Sequence, residues 1–169
     1  MNFGESNAPG GASHLINVIK AFIGSGIKNR IIAIFDNDTA AADELRKLEG
    51  LSIPDNVKVM KYPDIEFARN YPTEGPSGIH NLDVNGLACS IEMYFGDDIL
   101  RDNGRLTPIQ WTGFNSGLRR YQGEILDKKK LLKNFQRKLK KCEEDDLKLE
   151  QMDWQPIRLI WYHIFDAFS

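Results

Sequence analysis

The stretch Ile31-Ile32-Ala33-Ile34-Phe35-Asp36-Asn37-Asp38 decides how the rest of the chain is read. Its apolar run is too short to cross a membrane and suits a central strand buried on both faces. It ends in two carboxylates spaced i, i+2, at the edge where open α/β sheets place their chemistry. Two acids at that spacing repel unless a cation or a proton lies between them, so a Mg²⁺ site is the first expectation. Phosphatases, sugar-nucleotide transferases and nucleases all use Asp-x-Asp, and plain loop acids after a strand would look the same. The surroundings have to discriminate.

Before this strand, Met1 to Ala12 is rich in Gly, Asn and Pro and reads as a loop. Ser13 is placed to cap a helix running to Phe22 or Ile23, with Leu15, Ile16, Val18, Ile19 and Phe22 at its apolar positions. After the strand, Thr39 to Leu48 is predicted helical, with Gly50 as its stop. Val57–Lys61 is short, β-branched and bounded by Pro54 and Pro63, which predicts a second strand. Helix, strand, helix, strand in that order implies parallel pairing with right-handed crossovers. A parallel sheet centred on Ile31–Phe35 needs a strand before the first helix, and only Met1-Asn2-Phe3 is at hand. The expectation is a piece of a longer protein, or a partner chain that supplies the edge.

Tyr62 to Asn85 carries Pro63, Pro72, Gly75, Pro76 and Gly78 and reads as a long loop over one sheet edge. Gly86 to Cys89 reads as a short buried strand entering a helix from Ser90 to Phe95, and Ile109–Trp111 as another short strand. Leu126 to Lys141 is predicted helical, with Leu131, Leu132, Phe135 and Leu139 at helical spacing. Trp154 to Phe168 forms a terminal amphipathic helix whose Trp, Ile and Phe stripe suits the core or a partner surface. The expected division is a metal-binding core over 1–115 and a basic helix with the terminal helix over 116–169.

The chain of 169 residues fits one domain with a core of its own, and its net charge of −2 names no partner. The distribution of charge says more. Between Arg119 and Lys141 basic residues face only Glu124 and Asp127, and an acidic patch from Glu143 to Asp146 follows. Such a run is either a solvated helix face or a phosphate-binding surface. Cys89 and Cys142 lie far apart, without metal-ligand spacing, and read as reduced thiols. With no signal or transmembrane pattern in view, the expectation is a cytoplasmic protein.

Several pieces together resemble the Toprim domain, the metal-binding fold of topoisomerases, primases and overcoming-lysogenization-defect (OLD) nucleases. The segment Gly4-Glu5-Ser6-Asn7-Ala8-Pro9-Gly10-Gly11 is similar to that family's opening acid and small-residue turn. Asp36 and Asp38 match its strand ending in Asp-x-Asp, and Ser90-Ile91-Glu92 matches the later Ser-x-Glu of OLD-type enzymes. Asp83 to Gly96 also resembles Toprim domains of bacterial defence proteins associated with HEPN modules. Ser6 stands where the family has glycine, and Pro9 where OLD-type enzymes carry a second acid.

The resemblance implies a Toprim/Rossmann-like α/β fold, a mostly parallel sheet flanked by helices with a C-terminal helical extension. It implies a metal-dependent nuclease using one or two Mg²⁺ or Mn²⁺ ions on DNA or RNA, in a bacterial or phage defence setting. Asp36, Asp38, Ser90 and Glu92 would then serve the metal, with Glu5 as ligand or general acid–base. One lysine among Lys128, Lys129 and Lys130, taken as Lys128, would stabilise developing charge. Arg119, Arg120, Lys129, Lys130, Lys133 and Arg137 would hold the nucleic-acid backbone.

Three other readings remain open. Ser90 and Glu92 also fit a helix cap with an acid in the first turn. A haloacid-dehalogenase-type phosphatase also starts from Asp-x-Asp, with Asp97 and Asp98 as its later acids, but Ala40 stands where that family has threonine. A catalytically silent Toprim-like module would instead dock a partner chain, or a second copy, through the terminal helix.

Overall fold

The computed structural model describes residues 11–169, and Glu5 lies outside them. Helix α1 (Ala12–Ser25) begins at Gly11 and ends at Gly26, whose left-handed backbone directs its N–H to the Ile23 carbonyl. Ser13, expected as the cap, sits within the first turn, and no side chain caps this helix. The chain then forms β1 (Ile31–Phe35), β2 (Asn37–Asp38), α2 (Thr39–Leu45) and a 3₁₀ turn at Arg46–Leu48. Strand β3 (Val57–Lys61) pairs parallel with β1 from Ile31↔Val57 to Phe35↔Lys61.

β1 is buried on one face, at Ala33 and Phe35, and half-buried on the other. Ala33 and Phe35 pack with Ile16, Ile19, Ala41, Leu48 and Val57 under α1 and α2. Ile34 turns the other way, onto a larger cluster built around Tyr71, Tyr94, Ile109, Leu131 and Ile160. The strand is therefore the wall between two apolar layers, and its C-terminal end emerges where they meet.

The segment 62–85, expected as a loop, folds instead. It contains a 3₁₀ turn (Glu66–Asn70) and a hairpin of β4 (Tyr71–Gly75) and β5 (Gly78–Leu82). Proline is tolerated because Pro72 sits near the start of β4, and β5 is exposed along its whole length. An edge strand exposed on both sides carries no alternation to read.

Next come β6 (Ala88–Cys89), a 3₁₀ turn at Ile91–Tyr94 where a longer helix was expected, and α3 (Asp97–Leu100). The small pair β7 (Arg101–Asp102) and β8 (Arg105–Leu106) precedes β9 (Ile109–Asn115) and β10 (Arg120–Ile125). β10, β9, β4 and β5 form a four-stranded sheet in that order, in which only β4 and β9 run parallel. The 115/116 division expected from sequence falls in the β9–β10 turn.

Three helices close the chain, α4 (Lys128–Glu144), α5 (Asp146–Gln151) and α6 (Gln155–Phe165), with a 3₁₀ turn at Asp166–Phe168. The result is a mixed α/β fold. None of the described helices is long and apolar enough to cross a membrane.

α4 is not solvated all round. Leu131 and Lys138, seven residues apart and so on one side of the helix, are both buried. The Lys138 ammonium donates to the Phe95 carbonyl at 2.9 Å, to Asp98 Oδ1 at 2.8 Å and to the Asp153 carbonyl, and lies 4.3 Å from the Trp154 ring centre. It ties α4 to α3 and to the start of α6.

Candidate active site

Four local decisions bring the acids together. β1 ends at Phe35, so Asp36 stands at the C-terminal edge of a parallel pair. The next two residues form a short antiparallel bridge, Asn37↔Cys89 and Asp38↔Ala88. Continuing that bridge by one residue sets Asp36 beside Ser90, which carries Glu92 into the same region. Asn37, buried between the two acids in sequence, points elsewhere and donates to Asp64 Oδ1 at 2.8 Å.

Asp38 is the N-cap of α2, its Oδ1 accepting the Ala41 N–H at 2.7 Å. That bond favours the charged form, yet burial raises the Asp38 pKa from its ordinary 3.8. Asp36 is displaced further, to about 6. Burial is the largest cause, followed by repulsion from Asp38 and then Glu92, while Lys128 and the Ile91 N–H pull the other way. The same residues that sequence reading gathered thus act on one carboxyl group. Lys128, the first residue of α4, also reaches Glu124 at 3.2 Å.

Ser90 caps nothing with its side chain; its hydroxyl donates to Glu92 Oε2 at 2.6 Å and orients that carboxylate. Ser90 does stand at the N-cap position of the Ile91–Tyr94 turn with Glu92 in its first turn, as the cap reading expects, but without a capping bond from its side chain. Asp36 and Asp38 line a cleft of about 440 Å³ together with Gly11, His14 and Tyr62. Tyr62 and His14 escaped the sequence reading. Tyr62 follows β3 as Asp36 follows β1, and its N–H bonds the Phe35 carbonyl at 2.9 Å. In a parallel pair the two residues just past the strand ends are neighbours, which is the signal that could have found it. Burial raises the Tyr62 phenol to about 12, with Asp36 and then Glu92 adding to it.

Whether a divalent ion fits is decided by the donor set. Hard oxygen ligands on a site that is electrostatically crowded suit Mg²⁺, which is commonly held by one or two carboxylates with waters and substrate phosphate completing the shell. Among the described residues, no three His, Cys, Asp or Glu side chains form a preformed metal cage.

The remaining predicted residues divide in two. Lys129, Lys133 and Arg137 follow one another at i+4 along the exposed side of α4, and Lys130 lies beside them, 2.7 Å from Asp102. Arg119 and Arg120 sit apart, in and after the β9–β10 turn, both exposed. Asp97 and Asp98 do not line the acidic cleft; they bind Arg101 at 2.6 Å and Lys138 at 2.8 Å. Cys89 is buried and its thiol is pushed up to about 12 by burial first and by Asp64, Asp83, Asp38 and Asp36 after it, so it is no nucleophile. No protein-family model, curated protein or solved structure matches this chain.

Proposed function

We propose that the chain is a Toprim-like, Mg²⁺- or Mn²⁺-dependent nuclease that hydrolyses phosphodiester bonds of DNA or RNA. One observation carries the reading: Asp36, just past the C-terminal end of a parallel strand pair, lines one cleft with Asp38, and its carboxyl feels the charges of Asp38 and Glu92 against that of Lys128. Asp36, Asp38 and Glu92 would hold the ion. When bound, it supplies charge neutralisation on the scissile phosphate and a water of lowered pKa.

The chain's own residues do the rest. Ser90 fixes the Glu92 carboxylate, and the Ala41 N–H fixes Asp38. Lys128 sets a positive charge where negative charge develops on the phosphate oxygens. The exposed lysines of α4 continue from Lys128 and suit a backbone that leaves the cleft along that helix. Glu5 keeps its expected acid–base role as a proposal from the resemblance alone.

The test is cleavage of supercoiled plasmid, single-stranded DNA and transfer RNA with Mg²⁺ or Mn²⁺. Asp36→Asn is the better variant, because Asp38→Ala also removes a helix cap. Loss of roughly a hundredfold or more in Asp36→Asn is expected; full activity in that variant refutes the site.

A second reading rests on α6, where Trp161, Tyr162 and Phe165 are 54%, 62% and 72% exposed. A catalytically silent module would dock a partner through that face. It would tolerate Asp36→Asn and respond to Trp161→Ala in a partner-binding measurement.

A further inference from the structure

Beside the acidic cleft, the four-stranded sheet carries a second concavity of about 560 Å³, lined by Thr73, His80, Asn81, Leu82, Trp111 and Tyr121 among others. Its floor is made by glycine. A Cβ on Gly75 would stand 3.4 Å from Trp111 Cδ1, and one on Gly123 would meet Trp111 Cε3 at 2.8 Å. Gly75 is on β4 and Gly123 on β10, the two neighbours of β9. The indole therefore has bare backbone on both sides; it packs in part against the main apolar cluster and in part lines the groove.

Two more rings extend this surface. A register shift between Gln122 and Gly123 keeps Tyr121 opposite Phe114. Tyr121 lies 5.9 Å from Trp111 and 5.2 Å from Phe114, centre to centre. Tyr121 and Phe114 are 60% and 56% exposed, an unusual outlay of aromatic area on open sheet.

Charge decides the occupant. None of the residues lining the groove is acidic. Beyond Tyr121 and Phe114, the β9–β10 turn carries Arg119, β10 opens on Arg120 at the same end of the sheet, and the Arg46 guanidinium, 3.7 Å from Asp43, lies against Gly117. Exposed rings with a cationic rim match a chain of planar bases on a polyanionic backbone. A duplex keeps its bases stacked internally and gives the rings nothing to hold. The groove is also joined to the acidic cleft: the Thr39 hydroxyl, one residue after Asp38, donates to the Tyr121 carbonyl at 2.6 Å.

We infer that this groove binds single-stranded nucleic acid, stacking unpaired bases on Trp111, Tyr121 and Phe114 while Arg119 and Arg120 hold phosphates. The inference rests on the nuclease reading for its role and deepens it by making the substrate an unpaired strand. His80 and Asn81 supply polar groups to base edges along the groove.

The experiment is fluorescence anisotropy of the full chain with a short labelled oligonucleotide in EDTA, so that binding is read without cleavage. Single-stranded DNA, single-stranded RNA and the matching duplex form three arms. We expect either single strand to bind more tightly than the duplex. Tyr121→Ala and Phe114→Ala, both at exposed rings, should each weaken it by roughly tenfold. Arg119→Ala with Arg120→Ala should lower the logarithmic salt slope by about 1.4. Equal affinity for duplex and single strand, or aromatic variants that bind like wild type, overturns the inference while leaving any cleavage by the acidic cleft intact. Ring-dependent binding with no cleavage in Mg²⁺ or Mn²⁺ upholds the groove and overturns the nuclease reading.

Discussion

Replacing Asp36 by Asn should stabilise this protein at neutral and alkaline pH and not at acidic pH. Asp36 has its carboxyl raised from 3.8 to about 6. The folded state therefore binds the proton more tightly than the unfolded chain, and stability falls as pH rises from about 4 to about 6. Below that window both states are protonated and nothing is lost; above it the cost is complete. At full weight a displacement of that size is about 3 kcal/mol. The residue is only partly buried, and solvent at the cleft mouth brings the figure to about 1–2 kcal/mol.

Asn keeps the size and shape of the side chain while removing the repulsion from Asp38 and Glu92. Thermal melts of variant and wild type at pH 4 and pH 8 read Asp36 together with the acids it repels, since acids remote from the cleft cancel in the difference. Expected is a gain of roughly 2–8 °C at pH 8 for a chain of this length, shrinking towards zero at pH 4. Millimolar Mg²⁺ should raise the wild-type melting temperature at pH 8 and leave the variant nearly unmoved. An Asn variant no more stable than wild type at pH 8 would refute the claim that these carboxylates crowd one site.

Two further predictions concern the joint between α4 and α6. Gly96 has φ of +104°, and an added Cβ would meet the Asp153 carbonyl, Asp98 Oδ1 at 2.6 Å and Lys138 Nζ at 2.8 Å, so Gly96→Ala should cost about 3 kcal/mol or more in urea unfolding. Lys138→Met leaves two carbonyls and the Asp98 carboxylate without their donor, a loss of about 3 kcal/mol; a wild-type unfolding midpoint would show that the ammonium is not buried as described.

How far this could be read from sequence depends on what each feature rests on. β1, β3 and α4 were legible because burial imposed a run, a β-branched segment and a helical period on their residues. The β4–β5 hairpin was not: its inward face is Tyr71, Thr73 and Gly75, and only the tyrosine looks like core. Lys138 was read with a basic run, although its spacing from Leu131 already placed it on the buried side. Among the site residues, Asp36, Asp38, Ser90, Glu92 and Lys128 were legible by type and order. Their proximity was not, because it depends on a bridge of two residues, Asn37 and Asp38 on Ala88 and Cys89, too short to leave a pattern.

That bridge also explains why the acids stay crowded. Three consecutive residues are each committed to a different neighbour: Asn37 to Asp64, Asp38 to the Ala41 N–H, Thr39 to the Tyr121 carbonyl. Shifting the segment to carry Asp36 away from Asp38 and Glu92 would break all three. The repulsion is thus held in place by hydrogen bonds, several of them charge-assisted and individually worth about 1.5–3 kcal/mol. Asp36 and Asp38 both line the cleft beside Gly11 and Tyr62, so melts with and without Mg²⁺ read whether a cation relieves them there.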